Sequence, residues 1–112
     1  MPTLRSRGDF ARVNGEGHSR TDRLMVVRFV PNARDHDRFG ISTGRRLGGA
    51  VQRNRVRRRV REILRHAPNE TGRGWDILIV ARPAAVDASF DELRAALERL
   101  LGAIRGSVTA TS

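Results

Sequence analysis

The chain has 112 residues and a net charge of +10; all 22 basic side chains are arginine, 38% of residues are hydrophobic and none is cysteine. That length supplies one domain with a single core and is too short for two; the missing cysteines exclude disulfides, thiolate nucleophiles and cysteine-held zinc. No stretch approaches the roughly 18 apolar residues that span a bilayer, and the start, MPTLRSRGDF, has no apolar signal region, so a soluble cytoplasmic protein without a membrane partner is expected.

In chain order, residues 6–14 (SRGDFARVN) read as a short helix, with Ser6 as N-cap, Asp9 at the third helical position, and Phe10 and Val13 on one face. Residues 23–30 (RLMVVRFV) are apolar and β-branched and stop at Pro31-Asn32, the mark of a strand. NARDHDR is a polar turn and FGIST a second, short strand, expected to pair antiparallel with the first. After Gly48-Gly49 a helix begins, in which Val56, Val60, Ile63, Leu64 and Ala67 follow the spacing of one buried stripe. Pro68 should end it, with NETGRG as a loop. WDILIVARP is the clearest strand, an unbroken apolar run suited to a central position. Ser89 and Glu92 form a capping box for a last helix, whose Phe90, Leu93, Leu97, Leu100, Leu101 and Ile104 are assigned to the core. The order fits a small α+β sandwich with helices on a mostly antiparallel sheet. The two strands flanking the middle helix are candidates for a parallel pair.

That middle helix carries the functional signal. Arginines occupy positions 53, 55, 57, 58, 59 and 61, relieved only by Asn54, Val56 and Val60. Arginine in place of lysine suits bidentate phosphate contacts, yet it is equally the mark of a GC-rich genome, so only position discriminates. On a wheel of about 100° per residue centred on Val60, Asn54, Arg58, Arg61 and Arg65 fall roughly 100–160° to one side, and Arg55 and Arg59 roughly 100–140° to the other. Like charges three and four apart repel by a few tenths of a kcal/mol per pair, a loss that a merely solvated face avoids by mixing signs. The helix therefore expects an anionic partner. Arg53, near +20°, sits on the apolar side and is expected to border a groove beside the sheet, so that the helix touches two things: a large anionic surface outward and a narrower strand of charge through Arg53. The helix start, with Arg45 and Arg46 just upstream, suits phosphate. A membrane-surface helix would present bulky apolar residues instead of valines that the core requires. Nucleic acid fits better.

No catalytic set is present. His18, His36 and His66 stand apart without metal-ligand spacing and read as surface histidines. Asp35-His36-Asp37 reads as turn chemistry rather than an oxygen cage for a cation. The residues alone leave open a structural RNA-binding protein of ribosomal type, and a self-sufficient nuclease for which the carboxylates are too scattered.

FGISTGRRLGGAVQRNRVRRRVREILR closely resembles the GxSVSKKxGNAVxRNRxKRxxRE stretch of the protein subunit of bacterial ribonuclease P, with Arg53-Asn54-Arg55 as the RNR. LRSRGDFARV resembles that family's N-terminal segment, and WDILIVARPAA with SFDELRAAL its last strand and helix. The resemblance covers about residues 4–104. It implies a small two-layer α/β sandwich, ribosomal-protein-S5-domain-2-like, with about four mixed strands, three helices and a left-handed βαβ crossover. The whole of 1–112 would be one RNA-binding domain, with flexible ends at 1–5 and 106–112. It implies an accessory to a catalytic RNA that holds the magnesium and removes the 5′ leader of precursor tRNA, the protein alone binding no cofactor or metal. Carried over by position, Arg45, Arg46, Arg53, Asn54, Arg55, Arg57, Arg58, Arg61 and Arg65 would contact RNA, and Phe10, Val13, Arg28 and Arg53 would line a leader cleft. The chain departs from the family pattern at Asn14 and Arg28, where aromatics are usual, at Gly44-Arg45-Arg46 for SKK, and at Gly48-Gly49 for GN.

Overall fold

The structure, a computed structural model, describes residues 3–4, 6–66 and 74–111. Helix α1 (Arg7–Glu16) starts with the expected cap: Ser6 Oγ accepts from Asp9 N and the Asp9 carboxylate accepts from Ser6 N. Strand β1 (His18–Thr21) follows, then β2 (Met25–Pro31), β3 (Arg38–Ser42), a 3-10 turn at Arg45–Leu47, α2 (Ala50–His66), β4 (Trp75–Ala81), a second 3-10 turn at Pro83–Val86, and α3 (Phe90–Thr111). Ser89 and Glu92 cap α3 reciprocally, at 3.0 and 3.1 Å. The expected stop of α2 at Pro68 and the loop after it lie outside the described residues.

The four strands form one mixed sheet in the order β1-β2-β4-β3. β1 and β4 each pair antiparallel with β2, and β3 pairs parallel with β4 across the α2 connection, as the sequence suggested for the strands around the basic helix. The expected antiparallel pairing of β2 with β3 does not occur, because β4 inserts between them. The reason is burial: Ile77, Leu78 and Ile79 are apolar on both faces and take the centre, where both faces are covered.

Alternation along the strands divides the core. Met25, Val27, Phe29, Phe39, Ile77, Ile79 and Ala81 face α2 and α3, where Val56, Val60, Ile63, Leu64, Leu93, Leu97, Leu100, Leu101 and Ile104 complete one cluster. On the opposite face Val30 and Leu78 pack with Leu4 and Val13, flanked by Phe10 and Val80. Leu4 is buried and its N–H donates to Phe39 O at 2.9 Å.

One carboxylate holds α1 to the sheet. Asp76 of β4 is fully buried and accepts from Arg38 Nε at 2.9 Å and Nη2 at 2.7 Å, from Asn32 Nδ2 at 2.9 Å, and from Arg12 Nη2 of α1. Arg38 also reaches Asp9 at 3.3 Å, and Arg12 Nη1 donates to Pro31 O at 3.1 Å. Burial pushes the Asp76 carboxyl up, but bonds from Arg38 and Asn32 and the charges of Arg38 and Arg12 outweigh it and hold it below the ordinary carboxylate value. The β2–β3 loop closes onto the start of β4 through Gly74, whose N–H donates to Arg34 O at 2.9 Å. A Cβ there would sit 2.1 Å from Asn32 Oδ1 and 2.6 Å from the carbonyls of Arg34 and His36. Gly74→Ala is expected to destabilise by about 1–3 kcal/mol through backbone displacement; a urea midpoint equal to wild type would show that the loop yields freely.

Candidate nucleic-acid interface

Helix α2 turns its stripe of Val56, Val60, Ile63 and Leu64 into the core, which leaves the arginines on both flanks and outside. Its entry is set by Leu47, buried in the 3-10 turn, while Arg45 and Arg46 beside it are exposed. Gly48 takes φ 122°, a conformation open to glycine and strained for other residues. Among Arg45, Arg46, Arg53, Arg55, Arg57, Arg58, Arg59, Arg61 and Arg65, only Arg65 meets a carboxylate among the described residues, Glu62 at 3.5 Å. Acidic side chains instead neutralise arginines elsewhere: Asp76 with Arg12 and Arg38, Asp22 with Arg99 at 2.6 Å, Asp91 with Arg94 at 3.2 Å. The surplus charge is thus concentrated on α2 and the turn before it.

The flank facing β3 carries a cavity of about 260 Å³, lined by Thr3, Leu4, Phe10, Phe39, Gly40, Ile41, Arg57 and Arg61. Phe10 of α1 lies over Gly40 so closely that a Cβ at 40 would be 2.8 Å from its ring. Arg57 is oriented by Thr43 Oγ1 at 2.6 Å and Asn54 Oδ1 at 2.9 Å. An aromatic wall and two guanidiniums thus meet in one recess, one on each side of a strand edge.

The expected residues divide as follows. Arg57 and Arg61, rather than Arg53, line the recess beside Phe10; Arg53 lies one turn earlier on the same flank, half-buried, its Nε without an acceptor among the described residues. Val13 is fully buried and supports Phe10 from beneath, which corrects its placement on an open cleft surface. Arg28 lies on the α1 side of the sheet, level with Leu78 and Gly40 in register, two strands away from the Phe10 ring. Asn54, Arg58, Arg61 and Arg65 are exposed. Arg55 and Arg59 face the other flank, where they donate to Val86 O at 3.2 Å and Ala88 O at 3.1 Å. Phe90, assigned to the core from its spacing, is 36% exposed because the first turn of α3 reaches beyond the packed stripe. Gly40 and Thr43 were not identified from sequence; the spacing of Arg57 and Arg61 four apart is that of a shared helix face but does not say what it faces.

His36 Nδ1 contacts Asp35 at 2.8 Å, His66 Nε2 contacts Glu62 at 3.0 Å, and the buried Asp37 accepts from Trp75 N at 2.9 Å. Among the described residues no group of three metal-ligating side chains comes together, and no helix is long and apolar enough to cross a membrane.

A mixed four-stranded sheet with a strongly cationic helix, Glu62 its one carboxylate, in its parallel crossover defines the class: a small basic α+β domain built to display charge. A family model described as Ribonuclease P matches residues 2–105, and the chain belongs to that ribonuclease P protein family. It is 38% identical to the Ribonuclease P protein component of Roseiflexus castenholzii, covering 96% of this chain and 92% of that protein. It is 42% identical to that of Chloroflexus aggregans, covering 88% and 73%. The fold is similar to the RNase P protein of Staphylococcus aureus, with TM-score 0.80 and 32% identity over 93% of this chain and 95% of that one. The RNase P protein from Thermotoga maritima superposes with TM-score 0.76 at 33% identity, over 89% and 96%.

Proposed function

We propose that the chain is the protein cofactor of ribonuclease P: it binds the catalytic RNA through α2 and the single-stranded 5′ leader of precursor tRNA in the Phe10 recess, and the RNA carries the magnesium and the hydrolysis. The observation that supports this reading best is the set of α2 arginines left without carboxylates in a family whose members are named ribonuclease P protein components. The recess suits an unpaired strand, since a ring offers a stacking surface to any base while Arg57 and Arg61 meet its phosphates. A duplex would need a wider opening.

The test is precursor-tRNA cleavage by the matching catalytic RNA at low magnesium, with and without protein, on substrates with and without a leader. The protein is expected to raise cleavage of the leader-bearing substrate, and Arg57→Ala with Arg61→Ala to reduce that gain while leaving the leaderless substrate unaffected. No gain from wild type would favour a structural RNA-binding protein instead. Equal loss on both substrates would place the two arginines on the catalytic RNA rather than the leader.

A further inference from the structure

The flank of α2 turned away from the Phe10 recess carries a second groove of about 400 Å³, lined by Arg55, Arg58, Arg59, Glu62 and Phe90. Three guanidiniums face one carboxylate there, and Glu62 is already engaged by Arg65 and His66. Asp91, next to Phe90, is paired with Arg94 at 3.2 Å. Arg55 and Arg59 each commit one Nη to a backbone carbonyl on the segment leading into α3, which holds their planes still and leaves other donors for a ligand. Phe90 and Val51 are the exposed large hydrophobics among the described residues, and Val51 stands one turn before Arg55 on the same side of α2. An exposed phenyl ring fixed beside clustered guanidiniums has the chemistry that receives an unstacked base and its phosphate.

We propose that Phe90 is a stacking platform for an unpaired nucleotide of the RNA that lies along α2, with the flanking phosphate held between Arg55 and Arg58. This rests on the proposed function and deepens it by naming a second, aromatic contact to the catalytic RNA. The nucleotide is distinct from the leader, because the body of α2 separates this groove from the Phe10 recess. Stacking releases no counterion, so its energetic signature differs from that of the arginines.

The test measures binding of the full-length protein to the matching ribonuclease P RNA across a salt series. Phe90→Ala and Phe90→Leu are expected to weaken binding by roughly 5- to 100-fold, with the slope of log affinity against log salt unchanged, and Phe90→Trp to bind as tightly as wild type or tighter. Phe90→Leu keeps the apolar bulk at the start of α3, so it decides the matter if thermal melting shows that Phe90→Ala has lost stability. Binding of Phe90→Leu at wild-type strength overturns the inference, as does a change in salt slope without loss of affinity at low salt. If wild type itself does not bind this RNA, the proposed function falls and this inference with it; if wild type binds and the leucine variant matches it, only this inference falls.

Discussion

Replacing Asp76 with alanine is expected to lower the unfolding free energy by about 3 kcal/mol, the lower end of the range for breaking a buried ion pair. The lower end applies because the two stranded cations differ in access to water: the Arg12 side chain is 32% exposed and can rehydrate, whereas Arg38 is 14% exposed and keeps only Asp9 at 3.3 Å. Asp76→Asn, which retains acceptors without the charge, should lose less. Because the folded carboxyl lies below its ordinary value, its contribution is fully present above the unfolded carboxylate pKa of about 3.9. It is lost as pH falls through the folded value. Urea unfolding of the two variants and wild type at neutral pH and in acid checks both statements. A variant whose midpoint equals wild type at neutral pH would show that the network contributes nothing net. A stability difference that persisted unchanged in strong acid would assign the effect to packing alone.

The second large effect concerns salt. If roughly six to eight of the α2 and neighbouring arginines meet phosphates, log affinity for a structured RNA should fall with log salt at a slope near −0.9 per contact. Between 50 and 200 mM salt that removes roughly three to four orders of magnitude of affinity. Arg58 is exposed and has no carboxylate partner among the described residues, while Arg65 shares Glu62 with His66. Arg58→Ala with Arg65→Ala should therefore flatten the slope by somewhat less than two contacts' worth, about 1–1.5 units. Filter binding over a salt series reads this directly. An unchanged slope in the double variant would remove the outward face from the RNA interface.

Much of this architecture was legible from residue order. Val56, Val60, Ile63 and Leu64 marked the inner side of α2 because a helix repeats every 3.6 residues, and both capping boxes formed where Ser6 and Ser89 placed them. β1 left no trace, since all four of its residues are exposed and nothing apolar alternates. Asp76 passed as one polar letter in an apolar run, because its partners Arg12, Asn32 and Arg38 meet it only after folding. The antiparallel pairing of β2 with β3 was the economical reading of two neighbouring strands; it failed because a more apolar strand from later in the chain displaced it. For the interface, the wheel sorted arginines by angle but not by height along the helix, so the recess went to Arg53 although Arg57 and Arg61 stand level with Phe10.

The sheet order has a consequence for how the molecule comes into being. β3 pairs with β4 and not with β2, and Arg12 finds Asp76 64 positions downstream. Until β4 leaves the ribosome, the sheet beneath α1 and the arginine helix lacks its central strand, and such distant pairings are slow to close. A nascent chain that stalls before Trp75 would therefore expose a polycationic segment with no scaffold, so late synthesis, rather than early collapse, sets when this protein can first choose its ligand.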